Sequence, residues 1–403
     1  MDMPRNMMCI ESIEVKNFKS LVDFKLDLDR FTCLIGLNGS GKSTVLQFID
    51  FLGHLVGRGP EGIESWLEDR NWKSEDIRST LANEKNVTFS VSLVSHENQE
   101  CITWQGEFDT EQLYCVSELI KTTAATIEVN NGQFRVTLQN ESKPVIKDII
   151  FDYKGSILSG LARSILIAWN KSDVPYSPQS LKDFFLSISS PDLLSPELLR
   201  QPSIESEDSI GFGGESLSSF LHAIGAEKRD QLRAKLAEVY RQLIRLDTKR
   251  LSSNLRLMEI EESFDRKNVV TDARHINDGM LRLIAIFAEL QTEHQFILFD
   301  EIENGINPEL VEFLVDSFVQ DSDHQTLVTT HSPLILNYLE DDIAKKSVMY
   351  LYKTPQGHTK SIPFFSIPTM AEKLKFMGPG VVYADTNLTE LFDEIAEVTG
   401  EEV

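Results

Sequence analysis

Phe31-Thr-Cys-Leu-Ile35 runs without a break into Gly36-Leu-Asn-Gly-Ser-Gly-Lys-Ser43. The first five residues read as a buried strand and the next eight as a loop that folds around a phosphate. Thr44-Val-Leu-Gln-Phe-Ile-Asp-Phe-Leu52 then reads as a helix. The glycines let backbone N–H groups converge on an anion. Asn38, Gly39, Ser40, Gly41 and Thr44 belong to that cradle. Lys42 reaches the outer phosphates and Ser43 offers a hydroxyl to Mg²⁺. The helix start adds its positive dipole end beneath the same phosphates.

Further motifs lie far downstream. Phe296-Ile-Leu-Phe-Asp-Glu301 is a continuous apolar run ending in two carboxylates, the pattern of a central parallel strand. Asp300 is placed to hold the Mg²⁺ shell, and Glu301 to orient or deprotonate an attacking water. Glu303 receives no catalytic part. Thr326-Leu-Val-Thr-Thr-His331 is a second strand ending in an imidazole that can sense a γ-phosphate, or else merely cap the next helix. Ile276-Asn-Asp-Gly-Met280 opens another helix and reads either as an anion site at a helix start or as a plain cap. The other seven histidines read as surface or structural.

Composition sets the frame. The chain has 403 residues, 41% hydrophobic and 25% charged, as in an ordinary globular protein. It contains no apolar run of membrane-spanning length and no N-terminal apolar core of a signal peptide, so a cytoplasmic protein is expected. Its four cysteines lack C-x-x-C spacing and read as reduced thiols. A net charge of −24 opposes nonspecific adhesion to DNA or anionic membrane, though not one local basic face.

Alternation predicts strands around residues 10–16, 22–28, 86–93 and 101–108, and a hairpin over 126–138 with its turn at Asn130-Asn-Gly132. Residues 53–84, with Trp66 and Trp72, read as loop and short helix at the edge. Residues 172–216 read as connectors with short helices. Leu217 to Leu251 reads as helix, with Leu232, Leu236, Val239, Leu243 and Leu246 as its apolar stripe. On that reading Arg229, Arg233, Arg241, Arg245 and Lys249 form a basic stripe. The acidic segment from Leu388 has Leu391, Ile395 and Val398 on one helical face, suited to docking a partner or to packing on its own domain.

Together the motifs resemble the ATP-binding cassette superfamily, and within it the SMC/Rad50/RecF-like branch with its short prokaryotic AAA-type relatives. The resemblance rests on Asn17-Phe-Lys-Ser20, the phosphate loop, Asn277-Asp-Gly-Met280 as a variant signature, Asp300-Glu301, Gly305-Ile-Asn-Pro308 and His331-Ser-Pro333. It implies an α/β fold: an ABC-ATPase head (P-loop NTPase) with an antiparallel β subdomain and a helical insertion. The implied division is 1–155 and 269–403 for the two halves of the head and 156–268 for the insertion. It also implies ATP hydrolysis with ATP and Mg²⁺. Lys42, Glu301 and His331 would act at the phosphates, with Ser43 and Asp300 on the metal. Two copies would close face to face, Asn277 and Gly279 of one meeting the nucleotide on the other. Gln105, Gln133 and Gln139 are candidates for the family's Q-loop residue by position. Only 72 residues follow His331, too few for an appended nuclease domain. The resemblance extends to antiphage ATPases of the Septu, PARIS or retron-linked kind, which implies a separate effector, a nuclease or toxin. The alternative is a RecF-like repair ATPase with the basic stripe as its DNA face.

Overall fold

The computed structural model describes residues 8–57, 60–95, 100–123, 125–130, 133–138, 145–147, 155–159, 178–193, 195–204, 209–252, 254–265, 267–320 and 323–401. The chain opens with a hairpin, β1 (Met8–Phe18) and β2 (Leu21–Asp27), and then β3 (Phe31–Ile35). The helix Lys42–Val56 follows the loop. Next come β4 (Asn86–Ser95), β5 (Glu100–Asp109), β6 (Tyr114–Lys121), β7 (Ala125–Asn130), β8 (Gln133–Leu138) and β9 (Val145–Lys147). With the first hairpin they form one eight-stranded antiparallel sheet in the order β2-β1-β4-β5-β6-β7-β8-β9. The alternation that predicts β4 is the burial pattern itself: Val87, Phe89, Val91 and Leu93 all point inward. Residues 131–132 of the hairpin turn, and Gln139, lie outside the described residues.

Short strands β10 (Ile188–Ser189) and β11 (Ser203–Ile204) precede β12 (Leu243–Arg250), β13 (Leu255–Phe264) and β14 (Lys267–Asp272). The chain then supplies β15 (Phe296–Phe299), β16 (Gln325–Thr329), β17 (Val348–Lys353) and β18 (Thr359–Pro363). A six-stranded sheet, β10-β15-β16-β3-β17-β18, carries the phosphate loop. It is parallel from β10 to β17, with β18 antiparallel at the edge.

The centre of this sheet is buried on both faces: β15 is an unbroken apolar run, while β3 and β16 bury Thr32, Gln325, Thr326 and Thr329 beside their apolar residues. Cys33, Ile297, Val328 and Tyr350 face one core, which also takes in the helix Asp278–Glu289. Leu34, Leu298, Leu327 and Leu351 face the other, with the helix Lys42–Val56 and the antiparallel sheet. Trp66 lies on the short helix Pro60–Asp69, as the reading of loop and short helix allows, but it is fully buried in this second core rather than at an edge. The reason is local: its indole N–H donates to Asp50 Oδ2 at 2.6 Å, and Arg70 pairs with the same oxygen.

The expected helix from Leu217 to Leu251 is broken. Helices Leu217–Ala223 and Gly225–Ala237 are joined at Gly225, and residues 243–250 are β12. The misleading cue is the spacing of Leu243 and Leu246. A bulge between Leu243 and Arg245 in the β12–β13 register returns both leucines to the buried face, three residues apart, as a helix would. The stretch 156–268 therefore mixes helices with strands. The basic stripe dissolves with the helix. Arg229 pairs with Asp247, Arg233 with Asp230, and Lys249 with Asp272. Arg245 meets Glu261 at 2.9 Å and also reaches Glu259 and Asp247. The C-terminal helix Leu388–Thr399 buries Leu391 and Ile395 completely in its own domain, so these two are not a docking face.

One buried carboxylate joins β6 to the segment after it. Glu118 accepts from Trp104 Nε1 at 3.1 Å, Ser156 Oγ at 2.6 Å and the Ile157 N–H at 2.5 Å. Burial outweighs these bonds and pushes its carboxyl from an ordinary 4.5 up to about 7. The folded state therefore holds this proton more tightly than the unfolded chain. The stabilisation is complete below about pH 4.5 and is lost as pH rises towards 7, by at most about 1.4 kcal/mol per pH unit. In thermal melts between pH 5 and 8, Glu118→Gln should show a shallower fall in Tm than the parent. Identical slopes would remove Glu118 as the source.

Candidate functional site

Parallel pairing in register brings three strand ends to one edge. Leu298 lies beside Leu327, Val328 beside Cys33 and Thr329 beside Leu34. The phosphate loop, the acidic pair and His331 follow these ends, at the carboxyl edge where open α/β sheets bind ligands.

The loop is wound by three glycines with positive φ: Gly36 at 143°, Gly39 at 79° and Gly41 at 109°. Two of them are also sterically required. A Cβ on Gly36 would sit 2.3 Å from the Leu351 carbonyl oxygen, and one on Gly41 would sit 2.3 Å from Thr359 Oγ1. Gly41 is the N-cap of the helix that follows and places no side chain over its first N–H groups. Lys42 is 5% exposed and folds back, donating to the carbonyls of Gly36 at 3.0 Å and Leu37 at 3.2 Å. Burial lowers the pKa of its ammonium, and Asp300, Glu301 and Glu303 oppose that shift. Ser43 is exposed at the loop's end, while Asn38 and Gly39 form its outer rim.

Opposite, Thr329 organises the acidic turn. Its hydroxyl donates to Asp300 Oδ1 at 2.5 Å and accepts the Glu301 N–H at 2.9 Å. Glu301 adopts a left-handed backbone with φ 45°. Arg282 donates to the Glu301 carbonyl at 2.7 Å and the Asp300 carbonyl at 3.3 Å. His331 Nε2 lies 4.0 Å from Glu301 Oε1. The His331 N–H donates to Glu303 Oε1 at 2.9 Å. The cap of the next helix is Ser332, which accepts the Leu334 N–H, so His331 is not spent on capping.

The segment around Asn277 starts the helix Asp278–Glu289. Asn277 Oδ1 accepts the Met280 N–H at 2.9 Å, which leaves its amide nitrogen as the group able to meet an anion. The Asp278 carboxylate is taken by the Arg200 guanidinium. The Q-loop position stays open: Gln105 donates to Ser90 within the antiparallel sheet, and Gln133 opens β8.

Two residues here, Thr359 and Tyr383, escape a reading of motifs. Thr359 donates to the Ser40 carbonyl at 2.9 Å and shares a hydroxyl contact with Ser20 at 2.8 Å, tying the loop to β18 and to the Asn17–Ser20 turn. Tyr383 contacts the Gly36 backbone with its phenol. Asn17 is structural: its amide donates to the Glu84 and Asn86 carbonyls and its oxygen accepts the Ser79 N–H. Lys19 sits 3.1 Å above the Trp72 ring, and burial lowers its pKa to about 8. Threonines and tyrosines are too common in strands to be singled out without their contacts.

Donor chemistry fits a magnesium nucleotide. The loop offers N–H groups and a buried ammonium that donates to the loop's own carbonyls, while Asp300 and Ser43 offer the hard oxygens that Mg²⁺ takes. No helix of the described residues is long and apolar enough to cross a membrane.

Comparison with known proteins agrees. A family model described as "AAA ATPase domain" matches residues 8–183. A second, described as "AAA domain, putative AbiEii toxin, Type IV TA system", matches residues 128–337, just over half of the chain. No curated protein matches the chain. Among solved structures, an SMC head bound to the C-winged helix domain of ScpA is 16% identical, with a TM-score of 0.50, over 88% of this chain and 96% of that one. An Smc head with an extended coiled coil, bound to the C-terminal domain of ScpA and derived from Pyrococcus furiosus, is 14% identical, with a TM-score of 0.49, over 92% and 100%. At such identities the likeness is one of fold, and it rests on the first of these. By its family match the chain belongs to the AAA domain family of the second model, and its fold is that of an SMC head.

Proposed function

We propose that two copies of this ATPase close face to face on ATP, hydrolyse it, and pass the opening and closing to a separate effector, a nuclease or toxin, in prokaryotic antiphage defence. The observation that carries the enzymatic part is the single sheet edge shared by the loop, Asp300, Glu301 and His331. The family description, with its toxin and its Type IV system, supports the effector part.

On this reading Lys42 leaves its loop carbonyls for the outer phosphates. The backbone of Asn38 to Gly41, with Thr44, cradles the rest. Ser43 and Asp300 would hold Mg²⁺, which supplies charge neutralisation at the phosphate oxygens. Glu301 orients the water and takes its proton, and His331 reads the terminal phosphate beside it. Asn277 and Gly279 of the second copy meet the same nucleotide from across the interface. A ligand held better by the closed pair than by the single copy shifts the equilibrium to the pair by that difference.

The DNA-repair alternative loses its main support, because four of the five cations of its basic stripe are ion-paired within the chain. Arg241, Arg245 and Lys249 changed together to Glu should leave duplex affinity unchanged in anisotropy titrations between low and moderate salt. A fall in affinity with a smaller salt slope would restore that alternative.

Lys42→Ala should remove nucleotide binding in titrations with a fluorescent ATP analogue. Glu301→Gln should bind ATP as the parent does, lose about 10²–10³ in kcat, and accumulate as an ATP-dependent dimer in light scattering. Parental turnover by Glu301→Gln would overturn the catalytic assignment, and a monomer at saturating ATP would overturn the closing pair.

A further inference from the structure

The helix Asp278–Glu289 packs Met280, Leu281, Leu283 and Ile284 into the core, and one cation is buried among them. Arg282 is 6% exposed. Among the described residues its guanidinium makes no ion pair within contact distance, though Glu303, Glu301, Asp192 and Asp300 act on it from further off; its Nη2 donates to two consecutive main-chain carbonyls, those of Asp300 and Glu301. Its Nε has no hydrogen-bond partner among the described residues. Burying a guanidinium is costly, and an aliphatic side chain would fill the same space without that cost. What the aliphatic chain cannot do is donate to two carbonyls of one turn, as the single Nη2 of Arg282 does.

That turn needs holding. Glu301 has φ 45°, a region that non-glycine residues occupy only when their surroundings impose it. Thr329 fixes the turn from the strand side, through Asp300 Oδ1 and the Glu301 N–H. Arg282 fixes it from the helix side. The start of the same helix abuts the same loop: a Cβ on Gly279 would lie 2.7 Å from the Gly305 carbonyl oxygen.

We infer that Arg282 is a positioning residue for hydrolysis: it clamps the Asp300–Glu301 turn in its strained conformation and ties that turn to the helix whose N-terminus carries Asn277 and Gly279. The inference rests on the role proposed above for Glu301. Through this clamp, any displacement of the helix start on meeting the second copy's nucleotide reaches the water-orienting carboxylate of its own copy.

The test compares Arg282→Met, Arg282→Lys, Glu301→Gln and the double variant Arg282→Met/Glu301→Gln in the full chain. Each is measured for affinity towards a fluorescent ATP analogue, for Tm, and for kcat and KM with Mg-ATP. A clamp lost at the carbonyls misplaces Glu301 by about an ångström, which costs about 10² in kcat. Arg282→Met should therefore lose about 10² in kcat at near-parental KM, affinity and Tm. Arg282→Lys, which keeps the charge and one donor nitrogen but not the reach of Nη2 or the planar guanidinium, should fall between Met and parent. The double variant should be no slower than Glu301→Gln alone, because the two act as one unit. Parental kcat in Arg282→Met, or losses that multiply in the double variant, would overturn the clamp while leaving the role of Glu301 intact. Parental turnover by Glu301→Gln would sink the role of Glu301 and the clamp with it. If Arg282→Met does not fold, the Lys variant decides by the same split of kcat from affinity.

Discussion

Everything at the site depends on β15, β16 and β3 lying side by side, parallel and in register. Parallel strands cannot be joined by short turns: about thirty residues separate Asp300 from His331, and the phosphate loop precedes both by more than about 250 residues. The strand ends nevertheless emerge together, because each strand is pinned to its neighbour by the same ladder of main-chain bonds. Burial on both faces makes that register hard to shift. A slip of one residue would exchange Leu298 for Ile297 and Leu327 for Val328 between two differently shaped cores.

Around this fixed edge, the parts that must meet phosphate are held by side chains from elsewhere. Thr359 of the edge strand supports the loop through the Ser40 carbonyl. Thr329 and Arg282 hold the acidic turn from opposite sides. The loop and the turn are both locally unfavourable conformations, one rich in positive φ and one with a left-handed glutamate. Each is stable because the sheet and its neighbours over-determine it, the usual condition for strain at a functional site.

The motif-bearing strands were legible in the sequence because each is short, built round two or more adjacent apolar residues and punctuated by chemistry at its end. The alternation of β4 and β5 was equally plain, since that sheet faces its core on one side only. The stretch from Leu217 to Leu251 misled for a physical reason: a bulged strand and an amphipathic helix can both bury residues three apart, and the bulge at Ile244 is not written in any residue type. The basic residues along it then looked like one face. Cross-strand pairing with Glu259 and Glu261, which neutralises Arg245, depends on a register that spacing alone does not give. Arg282 was in plain view, but its value lies in two carbonyls belonging to a turn 18 and 19 residues away.

The charge at the edge carries the last constraint. Asp300, Glu301 and Glu303 all act on Lys42, and the same three carboxylates surround Arg282 with Asp192. A triphosphate brings about four more negative charges to this place. One lysine and one arginine already bound to carbonyls cannot balance them, and the helix dipole contributes only about half a charge. On the proposed reading, a divalent cation held by Ser43 and Asp300 would supply the missing positive charge. The same shortfall favours a second surface that contributes donors without carboxylates. The helix start at Asn277 meets that description, since its acidic neighbour Asp278 is already neutralised by Arg200. This charge balance supports the proposed composite site, in which a second copy's amide groups would complete what the chain's own acidic turn leaves short.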